Sequence, residues 1–333
     1  MRITTSMMSS KYMRNLNKSA KEMNYLNEKV STGKKFFTGS EDPVSAIKAY
    51  KLRREFISTD MYDTNINDVD SFLTTAETNL TEISNNLERV YTSYLKGITG
   101  TMGVEDREIV AKELGNLQQS ILTSLNANFE DRYVFGGTSK DEIPFTVKNG
   151  ELYFKGVNVN TGKDADGNDV DLGVLSNETL NIDLGLGLSF DDNGKLNQDT
   201  VFDMSMSGIK FMGYGETGGT PNNLYTLIGK IKTELEKSDF SLESISPFIE
   251  KFEEQKKQVL VNVTDIGAKT NYLDFLKFRN EDNQFNLNKK ILNVEKVDPA
   301  EAIVDFKMQE YSYNAALSMG NKILQNSFID FMK

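Results

Sequence analysis

The chain has no cysteine, no histidine and no tryptophan among its 333 residues, and only five prolines. Without Cys and His it has no thiol nucleophile, lacks the usual metal ligands and has no side chain that ordinarily titrates near neutral pH. Zinc sites, Ser-His-Asp triads, Cys-His dyads and disulfides are therefore excluded. An acid/base enzyme would have to rest on Asp, Glu, Lys or Tyr. No stretch approaches the ~18 consecutive apolar residues of a membrane span. The opening MRITTSMMSSKYMRNLNKSA lacks a continuous apolar core, so no cleaved general secretory signal peptide is expected. Positive charge is also scarce: 38 Lys+Arg stand against 49 Asp+Glu, a net −11. A phosphate-binding face must be basic, so nucleic acid is not the expected partner.

What is present divides the chain. Residues 131–220 hold 15 of the 24 glycines and 15 Asp/Glu against 7 Lys/Arg, which places −8 of the net charge there. That middle reads as turn-rich β structure between long helices. Four prolines follow a short polar residue, at Asp42-Pro43, Thr220-Pro221, Ser246-Pro247 and Asp298-Pro299. Each pair predicts a helix start, because an N-cap side chain takes a free N–H and proline gives up a donor that has no partner.

Beyond Pro43 the apolar series Ile66, Val69, Leu73, Ala76, Leu80, Ile83, Leu87, Val90, Tyr94 alternates steps of three and four, a coiled-coil seam. The loop at 97–100 should end that helix, and Val110, Leu114, Leu117 and Ile121 mark a second. Phe252, Val259, Ile266, Leu273, Leu287 and Val294 keep a seven-residue step that Asn280 interrupts. The ends carry thinner seams: Tyr12, Leu16, Ser19, Met23, Leu26 and Val30, closed by Gly33, and Val304, Met308, Tyr311, Ala315, Met319 and Ile323. Isolated helices of this kind are marginal in water, so both ends need a partner. In the middle, Asn149-Gly150 and Asn193-Gly194 sit between β-prone runs as hairpin signals.

The fold class that follows is α+β: an elongated antiparallel helical bundle or coiled coil formed by the N- and C-terminal segments, with an inserted β-rich domain. The expected parts are an amphipathic terminal helix at 1–40, bundle halves at 41–130 and 221–297, the insert at 131–220, and a second terminal helix at 298–333.

Chemical motifs are few. Gly213-Tyr-Gly215-Glu-Thr-Gly218 matches G-x-G-x-x-G, but a dinucleotide fingerprint needs a βαβ unit, and a long helix is expected where its second strand should be. Asp164-Ala-Asp166-Gly167-Asn168-Asp169-Val-Asp171 resembles a calcium loop, yet glycine falls at position four rather than six and Leu175 at position twelve. A solvated acidic turn is the expectation. Glu250, Glu253 and Glu254, among Lys251, Lys256 and Lys257, read as an ion-paired helix face. No catalytic, cofactor-binding or metal residue is assigned, and no cofactor is expected.

The termini carry a resemblance. Met1-Arg-Ile-Thr-Thr-Ser-Met-Met, Leu26-Asn-Glu-Lys-Val-Ser31-Thr-Gly33 and Ser40-Glu-Asp42-Pro43-Val-Ser-Ala46 resemble the start of the flagellin-type axial proteins of bacteria. Glu105-Asp-Arg107 opening a helix, Ala127-Asn128, Arg132-Tyr133-Val-Phe135-Gly136-Gly137-Thr138 and Pro144-Phe145 look like the hook-associated branch of that family. So do Val263-Thr-Asp-Ile-Gly267-Ala268-Lys269, Val297-Asp298-Pro299-Ala-Glu301-Ala302 and Met308-Gln309-Glu310-Tyr-Ser-Tyr313-Asn-Ala315. Filament flagellins usually read Asp-Asp-Ala-Ala-Gly where this chain has Glu41-Asp42-Pro43-Val44-Ser45, and they usually end in a Gln/Pro/Leu-rich run. Lys269 stands where relatives usually carry arginine. The resemblance covers residues 1–145 and 260–333; residues 146–220 carry no motif of the family.

The resemblance implies a structural subunit rather than an enzyme. Such a subunit would be escorted by an export chaperone, leave the cell unfolded by the flagellar type III route, and assemble outside at the hook–filament junction. There it would form a ring with copies of itself, with the first hook-associated protein on the hook side and flagellin on the filament side, and would template flagellin polymerisation. The terminal stripes (Tyr12, Leu16, Met23, Leu26, Val30, Val304, Met308, Tyr311, Ala315, Met319, Ile323) would form the subunit-assembly interface. In the isolated monomer the ends, roughly 1–40 and 299–333, would be mobile. A filament flagellin, a nucleotide-binding enzyme at 213–218 and an adhesive role for the insert stay open as alternatives.

Overall fold

The structure, a computed structural model, describes residues 5–98, 103–140 and 142–329, with side chains from Met7 to Gly320. Thr99 and Gly100 of the expected loop and the Ile323 side chain lie outside the described residues, as do Met1–Thr4. Eight α-helices are described: α1 Thr5–Thr32, α2 Pro43–Gly97, α3 Val104–Leu125, α4 Leu172–Ser176, α5 Gly208–Met212, α6 Leu224–Leu235, α7 Leu242–Glu295 and α8 Pro299–Ile329. Nine short strands form four antiparallel sheets. These are β1 Asn128–Phe129 with β2 Arg132–Tyr133; β3 Phe145–Lys148, β4 Glu151–Phe154 and β5 Val157–Asn158; β6 Asn181–Ile182 with β7 Phe202–Asp203; and β8 Glu216–Thr217 with β9 Thr220–Pro221. Helices dominate and the sheets are small, so the class is α+β with a helical bundle. The chain forms two compact units, Met1–Asp60 with Asp282–Lys333, and Met61–Glu281.

The second unit is built on the α2 seam. All nine residues from Ile66 to Tyr94 in the series are at most 1% exposed. They share one core with Val110, Leu114, Leu117 and Ile121 of α3, Leu224, Leu227 and Ile231 of α6, and Phe252, Val259, Ile266 and Leu273 of α7. Steps of three and four put these side chains on one stripe of each helix, and only a facing stripe can bury them. The Tyr94 ring meets Phe252 edge-on at 5.9 Å, and its hydroxyl donates to Glu253 at 3.1 Å. Asn280, which breaks the series in the sequence, is buried.

Within the insert, Asn149-Gly150 forms the expected hairpin. Both residues take positive φ, 53° and 81°, and join β3 to β4, the conformation a two-residue turn needs to match strand twist. The second Asn-Gly differs. Asp191 accepts from the backbone of Asn193 and Lys195 at 2.9 and 2.7 Å, but only one bridge, Phe190 with Leu196, follows. Phe190 is 63% exposed, so no packed face rewards a longer ladder.

The prolines divide two and two. Asp42 and Asp298 cap α2 and α8, accepting from Ser45 and Ala300 at 3.1 and 2.8 Å. Pro221 instead ends β9, and α6 starts after Asn223, whose side chain accepts from Tyr225 and Thr226 at 3.0 and 3.3 Å. Pro247 lies inside α7, which begins at Leu242. It forfeits one backbone bond near the helix start, and the burial of Ile245 and Phe252 on the same helix outweighs that loss.

Candidate functional site

The first unit holds the terminal stripes. Gly33, at φ +69°, ends α1, and its N–H donates to Lys29 at 2.9 Å. That is the left-handed cap a β-carbon would strain. The links after α1 and after α7 run antiparallel: Lys35 N–H donates to the Glu295 carbonyl and Val297 N–H to the Gly33 carbonyl, at 2.6 and 2.9 Å. Arg53 of α2 grips Glu295 of α7 with two parallel bonds of 2.7 and 2.6 Å. Beside them the Tyr25 hydroxyl donates to Glu41 at 2.8 Å; burial first, and Glu41 second, push that phenol up to about 12.

α1 packs against α8. Tyr12, Leu16, Ser19, Met23, Leu26 and Val30 are all half-buried. The Tyr12 hydroxyl donates to the Ala316 carbonyl at 2.9 Å, and the Gln309 amide donates to the Ser19 hydroxyl and carbonyl at 3.0 and 3.1 Å. On α8 the shielded positions are Ala302, Phe306, Gln309, Tyr313, Ala316 and Gly320, again in steps of four and three. The stripe expected from the sequence lies elsewhere on that helix. Val304, Met308, Tyr311 and Met319 are 56, 65, 79 and 64% exposed, and Ala315 is exposed beside them. The fold thus lays α1 along α8 with its five candidates half-buried and leaves the five described α8 candidates open.

Sequence reasoning missed the inner face of α8 because four of its six residues, Ala302, Gln309, Ala316 and Gly320, are small or polar. The available signal was the pair Phe306 and Tyr313, seven residues apart, on the stripe of Ala302, Gln309, Ala316 and Gly320. A β-carbon on Gly320 would fall on the Tyr12 ring, so a glycine there lets the helices approach. It also missed further open apolar side chains in this unit, Val44, Ile47, Tyr50 and Ile57 on α2 and Phe285 and Leu292 on α7, each more than half exposed.

The chemical motifs resolve into turns. Residues 213–218 follow a short helix, α5, and run into the β8–β9 hairpin, with Gly213, Gly215 and Gly218 all at positive φ. No βαβ unit surrounds them. Both oxygens of the Asp164 carboxylate are taken up inside its own turn, by the Asp166 and Asn168 amides and the Asn168 side chain at 2.8–3.0 Å. Glu254 pairs with Lys251 at 2.8 Å. Among the described residues no three Asp or Glu converge on a metal-sized site. Lys269 donates to the Asp203 carbonyl at 2.8 Å beneath the Phe202 ring, and burial pushes its ammonium down.

Likenesses to known proteins agree with this architecture. Flagellar hook-associated protein 3 of Escherichia coli K12 is 22% identical over 325 residues, 95% of each chain. A solved structure from Vibrio parahaemolyticus, described as that of a flagellar hook-associated protein, superposes with a TM-score of 0.61 at 22% identity, covering 77% of this chain and all of its own. FlgL of Bacillus cereus superposes at 0.51 with 14% identity, over 73% of this chain and 99% of its own. Residues 3–140 match the family model described as the bacterial flagellin N-terminal helical region, and over nearly its whole length the chain is similar to flagellar hook-associated protein 3.

Proposed function

We propose that this chain is a structural subunit of the bacterial flagellum, a counterpart of hook-associated protein 3 that joins hook to filament and templates flagellin polymerisation. The observation that carries the reading is the likeness over 95% of both chains, which takes in both terminal helices. The open face of α8 supports it physically. An apolar stripe of that extent on a monomer needs a partner to cover it. Val304, Met308, Tyr311, Ala315, Met319 and Ile323 then contact neighbouring copies, while Tyr12, Leu16, Met23, Leu26 and Val30 hold α8 in place from behind. The first hook-associated protein, flagellin and an export chaperone complete the proposed partners. Export by the flagellar type III route to an extracellular position belongs to the same proposal, and no catalytic step is assigned.

Electron microscopy of a deletion strain tests it. Hooks without filaments, and unpolymerised flagellin in the medium, are expected; filaments of normal length would overturn it. The shared N-terminal region at 3–140 favours a second reading, a filament flagellin. Loss of a minor flagellin would leave the remaining flagellin polymerised, which separates the two.

A further inference from the structure

The two compact units carry opposite charge. Met1–Asp60 with Asp282–Lys333 contain 18 Lys/Arg against 13 Asp/Glu, a net +5, whereas Met61–Glu281 contain 20 against 36, a net −16. On the positive unit, α2 and α7 flank a groove of about 430 Å³ lined by Leu52 and Val294 and by Lys48, Lys51, Lys290 and Asn293. The three lysines are exposed, and among the described residues none pairs with a carboxylate. Glu295, the acid next to the groove, is already held by Arg53.

The negative unit presents the complementary feature. At the start of α3, Val104 and Ile109 are 45 and 65% exposed. Around them Glu105, Asp106, Glu108 and Glu113 are all exposed, against one exposed cation, Lys112. Arg107 in the middle of this run is turned inward, over the Phe240 ring at 5.0 Å. The Glu105-Asp106-Arg107 segment, conspicuous in the sequence, therefore shows its acids outward.

We propose that in the assembled array the first turns of α3 of one copy seat in the lysine-rimmed groove of a second copy. Val104 and Ile109 cover Leu52 and Val294, and the carboxylates face Lys48, Lys51 and Lys290. An apolar centre with a charged rim is the ordinary anatomy of a protein interface, and charge complementarity sets partner and register. Knob and groove are different patches, so the contact is heterologous and propagates into a ring or helix rather than closing a two-fold dimer. The inference rests on the reading of the chain as an assembling axial subunit.

The absence of cysteine makes the test direct. Flagella are isolated from a strain carrying the full chain as Lys51→Cys/Ile109→Cys, treated with an oxidant or a short bis-maleimide, and blotted for the chain. A ladder of covalent multimers is expected, with none from either single variant. Adding Lys48→Glu and Lys290→Glu should cut the ladder at least about tenfold, since like charges then oppose across the contact. Adding Glu105→Lys and Glu108→Lys to those should restore it, which excludes a folding defect as the cause. If the chain is present in the flagella but only as monomer, the groove contact is overturned and the axial reading stands. If the chain is absent from flagella, both fall.

Discussion

Glu178 holds the insert together through three donors, the Lys155 ammonium at 2.5 Å and the Thr138 amide and hydroxyl at 2.9 and 2.8 Å. Both charged side chains are at most 16% exposed. Burial alone would raise the Glu178 carboxyl, but the bonds from Lys155 and Thr138 outweigh it and hold the group below its usual range. A depressed folded pKa stabilises fully above the unfolded carboxylate pKa, and that contribution is lost as pH falls through the folded value. Denaturant titrations should therefore show wild-type stability falling on acidification into and below the carboxylate range, and falling less in Glu178→Gln. At neutral pH, Glu178→Gln should cost about 3 kcal/mol, because a buried ammonium loses its counter-charge. Asn223 is fully buried, caps α6 and also donates to the Gly213 carbonyl at 2.8 Å. Its replacement by Ala should cost about 2 kcal/mol by the same measurement, from a lost cap and an unpaired carbonyl.

Among the elements, α2 and α8 have opposite fates. Leu80 sits at the centre of the α2 seam with no exposure, so Leu80→Ala should cost about 2–5 kcal/mol in a thermal or denaturant melt. Met308→Ser and Tyr311→Ser lie on the open face of α8 and should leave the melt within about 0.5 kcal/mol of wild type, yet exclude the chain from flagella. Normal incorporation of both variants would remove α8 from the assembly surface. From Met7 to Thr32, α1 has no fully buried side chain, so little free energy ties it down. Limited proteolysis of soluble monomer should cut within α1 and α8 before it cuts within Ile66–Tyr94. A seam of nine apolar residues, eight of them larger than alanine, was legible in the sequence because such residues have one way to leave water. The inner face of α8 was not, because Ala302, Gln309, Ala316 and Gly320 become interior only once α1 lies on them.

At the scale of the whole molecule, the proposed contact makes association depend on charge. Net charges of +5 and −16 on the two units of each copy would steer encounters at low ionic strength and be screened over about 8–10 Å near physiological salt. Incorporation of purified chain onto isolated hooks should slow as salt is raised. A rate indifferent to salt would leave apolar contacts, not charge, as the guide.

The residues alone excluded thiol, histidine and zinc chemistry, predicted the α2 seam and the Asn149-Gly150 turn, and carried the terminal motifs. These are properties of composition and of local spacing, and they do not depend on what the chain later meets. Only the tertiary structure decided which face of α8 is covered, because burial belongs to a pair of surfaces. Only it showed that residues 1–60 and 282–333 form one basic unit, since their charges are far apart along the chain and add up only where the fold brings them together. The missing cysteine and histidine exclude one kind of chemistry; the uncovered α8 face and the lysine groove are where we propose that this protein meets its partners.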